Sequence, residues 1–294
     1  MVNKFSIFKW TSYSVLLLIG LLLNFHQNMI EQYMGFTLRD EHIIVTFSTT
    51  PNRIKEIEPT VRTILKQNIK VDGIYIAIPY IFKRDNTPYE IPEWLQKHTK
   101  IKIIRTDDYG PATKLLGVLK HVEMPNNAIV ITVDDDIKYP RNTILQLAYK
   151  AKQYPNAAIG ISAVVPNYDE NGILISNKIG GFTQIKDADA HATILQGFAG
   201  VAYRRSFFND DIYEILNSPR ECINSDDVYL SYYLARHNID RIVLNNRFID
   251  KLKIDYDNEV GLRADALHQL IPTPSDKHRT CIGFLRESFP NVAF

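Results

Sequence analysis

The chain has 294 residues, 45% of them hydrophobic and 23% charged, with a formal net charge of +1. That is an ordinary globular composition, long enough for one large α/β domain or two small ones. The near-neutral charge excludes broad nucleic-acid binding, which needs a basic face, so no nucleic acid is expected as a partner. Cys222 and Cys281 form no Cys-x-x-Cys metal motif. They are either one disulfide or two buried thiols, and the usual burial of free cysteine favours thiols. No Asn-x-Ser/Thr sequon is present.

Lys4 and Lys9 precede an uncharged run from Trp10 to Ile30 whose centre, Val15 to Leu23, is apolar throughout. Roughly 20 helical residues span a bilayer core. No small-x-small cleavage site follows, so residues 1–30 read as a cytosolic tail and uncleaved transmembrane signal anchor, basic end in the cytosol. A cleaved signal peptide or a membrane-associated segment are the alternatives. Residues 31–41 read as a polar stem and 42–294 as one lumenal or extracytoplasmic catalytic domain.

Strands are predicted at His42–Ser48, Gly73–Ile78, Ile101–Ile104 and Ala128–Val133, with helices over Pro59–Gln67 and from Pro111 to about His121. Pro79 to Pro92 holds three prolines and reads as loop, and Trp94 packs a short helix after it. This alternation predicts a Rossmann-like, mostly parallel sheet with flanking helices. Beyond it, a helix is expected over Arg141–Gln153, a strand over Ala157–Val165, and a hairpin and loop over Asn167–Asp189. A helix over Val228–His237 and a last strand over Arg241–Leu244 complete the readable part.

Asp134, Asp135 and Asp136 follow the apolar strand Ala128–Val133 at its C-terminal end, where open α/β sheets bind ligands. Adjacent acids repel and call for a cation. A hard divalent metal, Mg²⁺ or Mn²⁺, is the simplest one, with Asp134 and Asp136 as its ligands. An acidic turn is the plain alternative. Lys138 stands where a haloacid-dehalogenase-type motif needs Thr or Val, and no Gly-rich phosphate loop or dinucleotide fingerprint occurs. Lys114, in the first turns of its helix, is placed to meet phosphate oxygens. Ser225-Asp226-Asp227 reads as a capped helix start, or as a carboxylate placed for general base work. Gly197 and Gly200 bracket a turn where glycine permits close approach of a ligand.

Four segments in this order carry a resemblance to GT-A-fold nucleotide-sugar glycosyltransferases. They are Thr49-Thr50-Pro51-Asn52-Arg53, Val133-Asp134-Asp135-Asp136, the glycine segment 197–200, and Ser225-Asp226-Asp227. The stretch Glu221–Val228 also resembles the Glu-Asp segment of exostosin-type transferases. The resemblance implies a nucleotide-sugar donor, UDP-sugar first, bound by Thr50, Arg53, Lys114 and Asp135. It implies a divalent metal held by Asp134 and Asp136 and completed by a C-terminal histidine, His268 before His278. Gly197 and Gly200 would border a glycan or glycoconjugate acceptor, and Asp227, with Asp226 second, would be the catalytic carboxylate. The alternative function is a non-catalytic glycan- or nucleotide-sugar-binding domain on the same fold. Two positions depart from the family pattern: Pro79-Tyr80 stands where many members carry a base-reading Asp, and the late acidic pair is Asp-Asp rather than Glu-Asp.

Overall fold

Ile43–Ser48 (β1) is a run of β-branched and aromatic residues buried on both faces, as strands inside a parallel sheet are. A computed structural model describes residues 28–168, 174–179, 189–244, 255–256 and 274–292, together with 19, 21, 22 and 25. The chain divides into two units, Met1–Asp40 and Glu41–Phe294. In the first, residues 28–37 are helical. No helix among the described residues is long and apolar enough to cross a membrane, and most of the Trp10–Ile30 run lies outside them.

In the second unit, β1 is followed by Glu58–Ile64 (α1), Gly73–Pro79 (β2), Ile81–Phe82 (β3), Thr87–Pro88 (β4), Glu93–Gln96 (α2), Ile101–Thr106 (β5) and Thr113–His121 (α3). Next come Ile129–Thr132 (β6), Ile137–Lys138 (β7), Thr143–Gln153 (α4), Ala157–Gly160 (β8), Ala163–Tyr168 (β9), Leu174–Ile179 (β10), Ala190–His191 (β11), Ile194–Leu195 (β12) and Val201–Arg204 (β13). Arg220–Ile223 (α5), Asp226–Arg236 (α6), Asp240–Val243 (β14), Asp255–Tyr256 (β15) and Pro274–Ser288 (α7) follow.

The central sheet has eight strands in the order β11-β14-β8-β13-β6-β1-β2-β5. Strands β5, β2, β1 and β6 run parallel, with Ile43 opposite Ile129 and Thr46 opposite Thr132. Several features differ from the sequence expectation. First, β13 enters the middle of the sheet antiparallel to both β6 and β8, with Val201 opposite Thr132 and Gly160. A strand buried on both faces looks alike in either direction, so its sequence cannot announce this. Its start therefore lies at the edge where β6 ends. Second, the Pro79–Pro92 stretch contains the hairpin β3–β4, whose turn is made by Asn86 at φ 59°.

The predicted strand Ala157–Val165 is two strands, β8 in the large sheet and β9 paired with β10 and β12 in a smaller one. Helix α3 packs on β1, β2 and β5, α4 on β6, β8 and β13, and α7 on α5 and α6. Leu115, Leu116, Val130, Val201, Tyr232 and Leu285 share one buried cluster beside the site. Cys222 and Cys281 are disulfide-bonded across 59 residues, with Cα atoms 4.7 Å apart. This corrects the reading as two thiols. Helix α7 brings Cys281 against α5, a pairing fixed by tertiary packing and invisible in local sequence.

Candidate active site

The C-terminal ends of β1, β2, β5 and β6 open on one cleft of about 230 Å³. Just past β1, the backbone N–H groups of Arg53 and Ile54 both donate to the Thr50 carbonyl, closing a turn. That turn aims Arg53 at the acids after β6. Its guanidinium forks onto Asp135 and donates from Nη1 to Asp136 Oδ2 at 3.1 Å. Thr50 lines the cleft, and its buried hydroxyl has no hydrogen-bond partner among the described residues.

Lys114, 6% exposed, reaches from the first turn of α3 to the centre of the site. Its ammonium lies 2.7 Å from Asp134 Oδ1 and 3.2 Å from Asp226 Oδ2. Burial alone would lower its pKa, but Asp134, Asp226 and Asp227 together hold it well above the ordinary value. The acids after β6 thus have cations of the protein's own, Arg53 and Lys114, before any metal is considered.

The start of β13 brings the glycine segment to the same place. Gly197 N–H donates to Asp227 Oδ1 at 2.8 Å. A Cβ at Gly197 would stand 2.9 Å from Lys114 Nζ and 3.0 Å from Asp227 Oδ1, so only glycine lets these three meet. Gly200, at φ 99°, turns the chain into β13. Phe198, between the two glycines, lines the cleft, and neither glycine does. Tyr139 links this turn to the acids: its hydroxyl accepts from Asp134 N–H at 2.8 Å and donates to the Phe198 carbonyl at 2.7 Å.

Asp226 and Asp227 open α6. Ser225 occupies the cap position but makes no capping bond, and its buried hydroxyl has no partner among the described residues. The expectation of Ser225 as a side-chain N-cap is therefore corrected. Burial and the neighbouring Asp226 push the Asp227 carboxyl up to about 7, against the opposing pull of Lys114 and the Gly197 N–H. Burial and Asp134 likewise raise Asp136, against Arg53.

Asp134 and Asp136 both line the cleft. Among the described residues no three His, Cys, Asp or Glu side chains converge as a metal-binding group. Two carboxylates are the protein share of a Mg²⁺-type site completed by phosphate oxygens, and the mutual repulsion recorded in Asp136 is what such an ion relieves. The donor set fits a metal held jointly with a diphosphate. His268 lies outside the described residues. His278 lies on α7, and burial and Lys277 lower its pKa to about 4, so its imidazole is neutral.

Tyr139, Phe198 and Lys277 carry no local signal that singles them out in the sequence; they join the site through folding alone.

No curated protein matches the chain. Among solved structures it is similar to GalNAc-T7 with UDP, GalNAc and Mn²⁺, at TM-score 0.49 and 10% identity over 69% of this chain. The chain spans 41% of that protein's length. It is also similar to Francisella tularensis 2-C-methyl-D-erythritol 4-phosphate cytidylyltransferase, at TM-score 0.44 and 13% identity over 75% of this chain and 95% of that one. Both scores are too low to carry a functional comparison. The sequence model of glycosyl transferase family 2 matches residues 43–211, from β1 through β13 and the residues after it. That is more than half of the 294 residues, and with the mostly parallel α/β sheet it makes the chain a GT-A-fold glycosyltransferase belonging to glycosyl transferase family 2.

Proposed function

We propose that this cleft transfers a sugar from a nucleoside-diphosphate sugar to a hydroxyl group of a glycan or glycoconjugate, and that Asp227 takes the proton from that hydroxyl. The observation carrying this reading is Asp227 itself, raised to about 7 and held by the Gly197 N–H at 2.8 Å. A base serves best when its pKa lies near the working pH. The acceptor oxygen forms the new bond to the sugar's anomeric carbon as the bond from that carbon to the diphosphate oxygen breaks. The acceptor proton passes to Asp227, and the electron pair leaves with the nucleoside diphosphate.

In this reading Lys114, held 2.7 Å from Asp134, is a fixed positive charge beside the leaving group, and Arg53 keeps Asp135 and Asp136 in place. Thr50, which lines the cleft after β1, is a donor contact in this proposal. Asp134 and Asp136 are the metal ligands in this proposal, with His268 as a further one. A Mn²⁺ or Mg²⁺ held there would supply positive charge to stabilise the leaving diphosphate. In this reading the turn 197–200, whose Phe198 lines the cleft, borders the acceptor.

We further propose that the catalytic domain lies outside the cytosol behind the uncharged N-terminal run. The Cys222–Cys281 disulfide supports that compartment, since such bonds persist in oxidising surroundings. Resistance of the full-length chain to carbonate extraction is expected; release would contradict the anchor.

The function is tested by screening nucleotide-sugars for turnover, UDP-sugars first, with and without Mn²⁺, by a chain starting near Glu41. Turnover of a donor that stops with chelator and returns with Mn²⁺ is expected. Binding of a donor without turnover under any acceptor would make this a binding domain.

A further inference from the structure

Helix α7 lies beyond residue 211, where the family match ends. Its Lys277 and Cys281 stand four residues apart and share one helix face. The disulfide from Cys281 to Cys222 in α5 holds that face against the segment leading into α6. There the Lys277 ammonium donates to the Asn224 carbonyl at 3.1 Å. Lys277 and Asn224 both line the cleft, beside Asp226 and Asp227.

That carbonyl is the one hydrogen-bond acceptor of Lys277 among the described residues. An ammonium carries three N–H donors, so donors remain to face the cleft. Lys114, the other cleft ammonium, is already held between Asp134 and Asp226.

We propose that Lys277 binds the diphosphate of the donor, so that the C-terminal helix, tied down by the disulfide, forms one wall of the donor site. This rests on the sugar-nucleotide reading of the cleft. Phosphate is the matching ligand because a lysine on a flexible stem binds it as a point charge, and a helix face anchored one turn away fixes where that charge sits.

The test is calorimetric binding of UDP, GDP, CDP and ADP with Mn²⁺ to the wild type, Lys277→Met, Lys277→Gln and Lys277→Arg. Melting temperatures are taken on the same samples. The nucleoside diphosphate that the wild type binds should bind Lys277→Met and Lys277→Gln at least about tenfold more weakly, the worth of one charge-assisted hydrogen bond. Lys277→Arg, which keeps the charge, should recover most of the affinity. Equal affinity in the wild type and either neutral variant overturns the role of Lys277 and leaves the proposed function standing. Failure of the wild type to bind any of the four overturns both.

Discussion

Asp227 links the chemistry of the site to the stability of the fold. Its carboxyl is pushed up to about 7, whereas in an unfolded chain it titrates near about 3.9. Between those values the folded chain keeps a proton that the unfolded chain has lost. Stability contributed by this group therefore falls as pH rises through that window. Asp227→Asn removes the effect, so its melting temperature should exceed that of the wild type at pH 8 and match it near pH 4. The same difference at both pH values would contradict a raised carboxyl. In the wild type, the transfer rate should climb as pH passes through about 7 and Asp227 loses its proton.

Gly197→Ala probes the neighbouring contact. The added methyl meets Lys114 Nζ at 2.9 Å and Asp227 Oδ1 at 3.0 Å, both ends of side chains rather than backbone. Side chains can yield, so the melting temperature should change little. The displaced ammonium and carboxylate should lower transfer by about tenfold or more, since small misplacements of reacting groups are costly. Loss of stability with an unchanged rate per folded molecule would instead make Gly197 a packing residue. Tyr139→Phe should behave the other way. It strips a partner from the Asp134 N–H and the Phe198 carbonyl together, which costs about 1–3 kcal/mol when such groups stay buried. Denaturant unfolding checks this, and a variant as stable as the wild type would mean that water replaces the hydroxyl.

At the scale of elements, the parallel strands β1, β2 and β6 are legible because each is a largely apolar run rich in β-branched residues, and β5 because its isoleucines recur between charged residues. The hairpin β3–β4 is not, since two-residue strands have no period to read. The antiparallel entry of β13 is hidden for a different reason: burial on both faces erases the alternation that would reveal a strand's surroundings. Helix α7 is tied to α5 by a bond between residues 59 apart. Removing it, with Cys222→Ser and Cys281→Ser together, should destabilise the chain by about 2–5 kcal/mol, because the unfolded chain regains the freedom of a long loop. An unchanged denaturation midpoint under reducing conditions would show that packing alone holds the helix.

At the scale of the whole molecule, four stretches far apart in sequence meet at one sheet edge. Arg53, Lys114, Asp134–Asp136 and the pair Asp226–Asp227 arrive there because parallel strands end together and β13 starts beside them. The acids after β6 announce a charged site in the sequence, but not which cations answer them. That Arg53 answers Asp135 and Asp136, and Lys114 answers Asp134, depends on a turn and a helix whose contacts lie 20 to 83 residues away. Sugar transfer by Asp227→Asn beside the wild type, with nucleoside-diphosphate affinity taken on the same preparations, probes this arrangement most directly. Asn keeps the size of Asp and cannot take the proton. The variant should bind nucleoside diphosphate as the wild type does and transfer sugar at least about a hundredfold more slowly. Transfer at near wild-type rate would remove Asp227 from the chemistry and with it the reading of this cleft as built around a raised carboxylate.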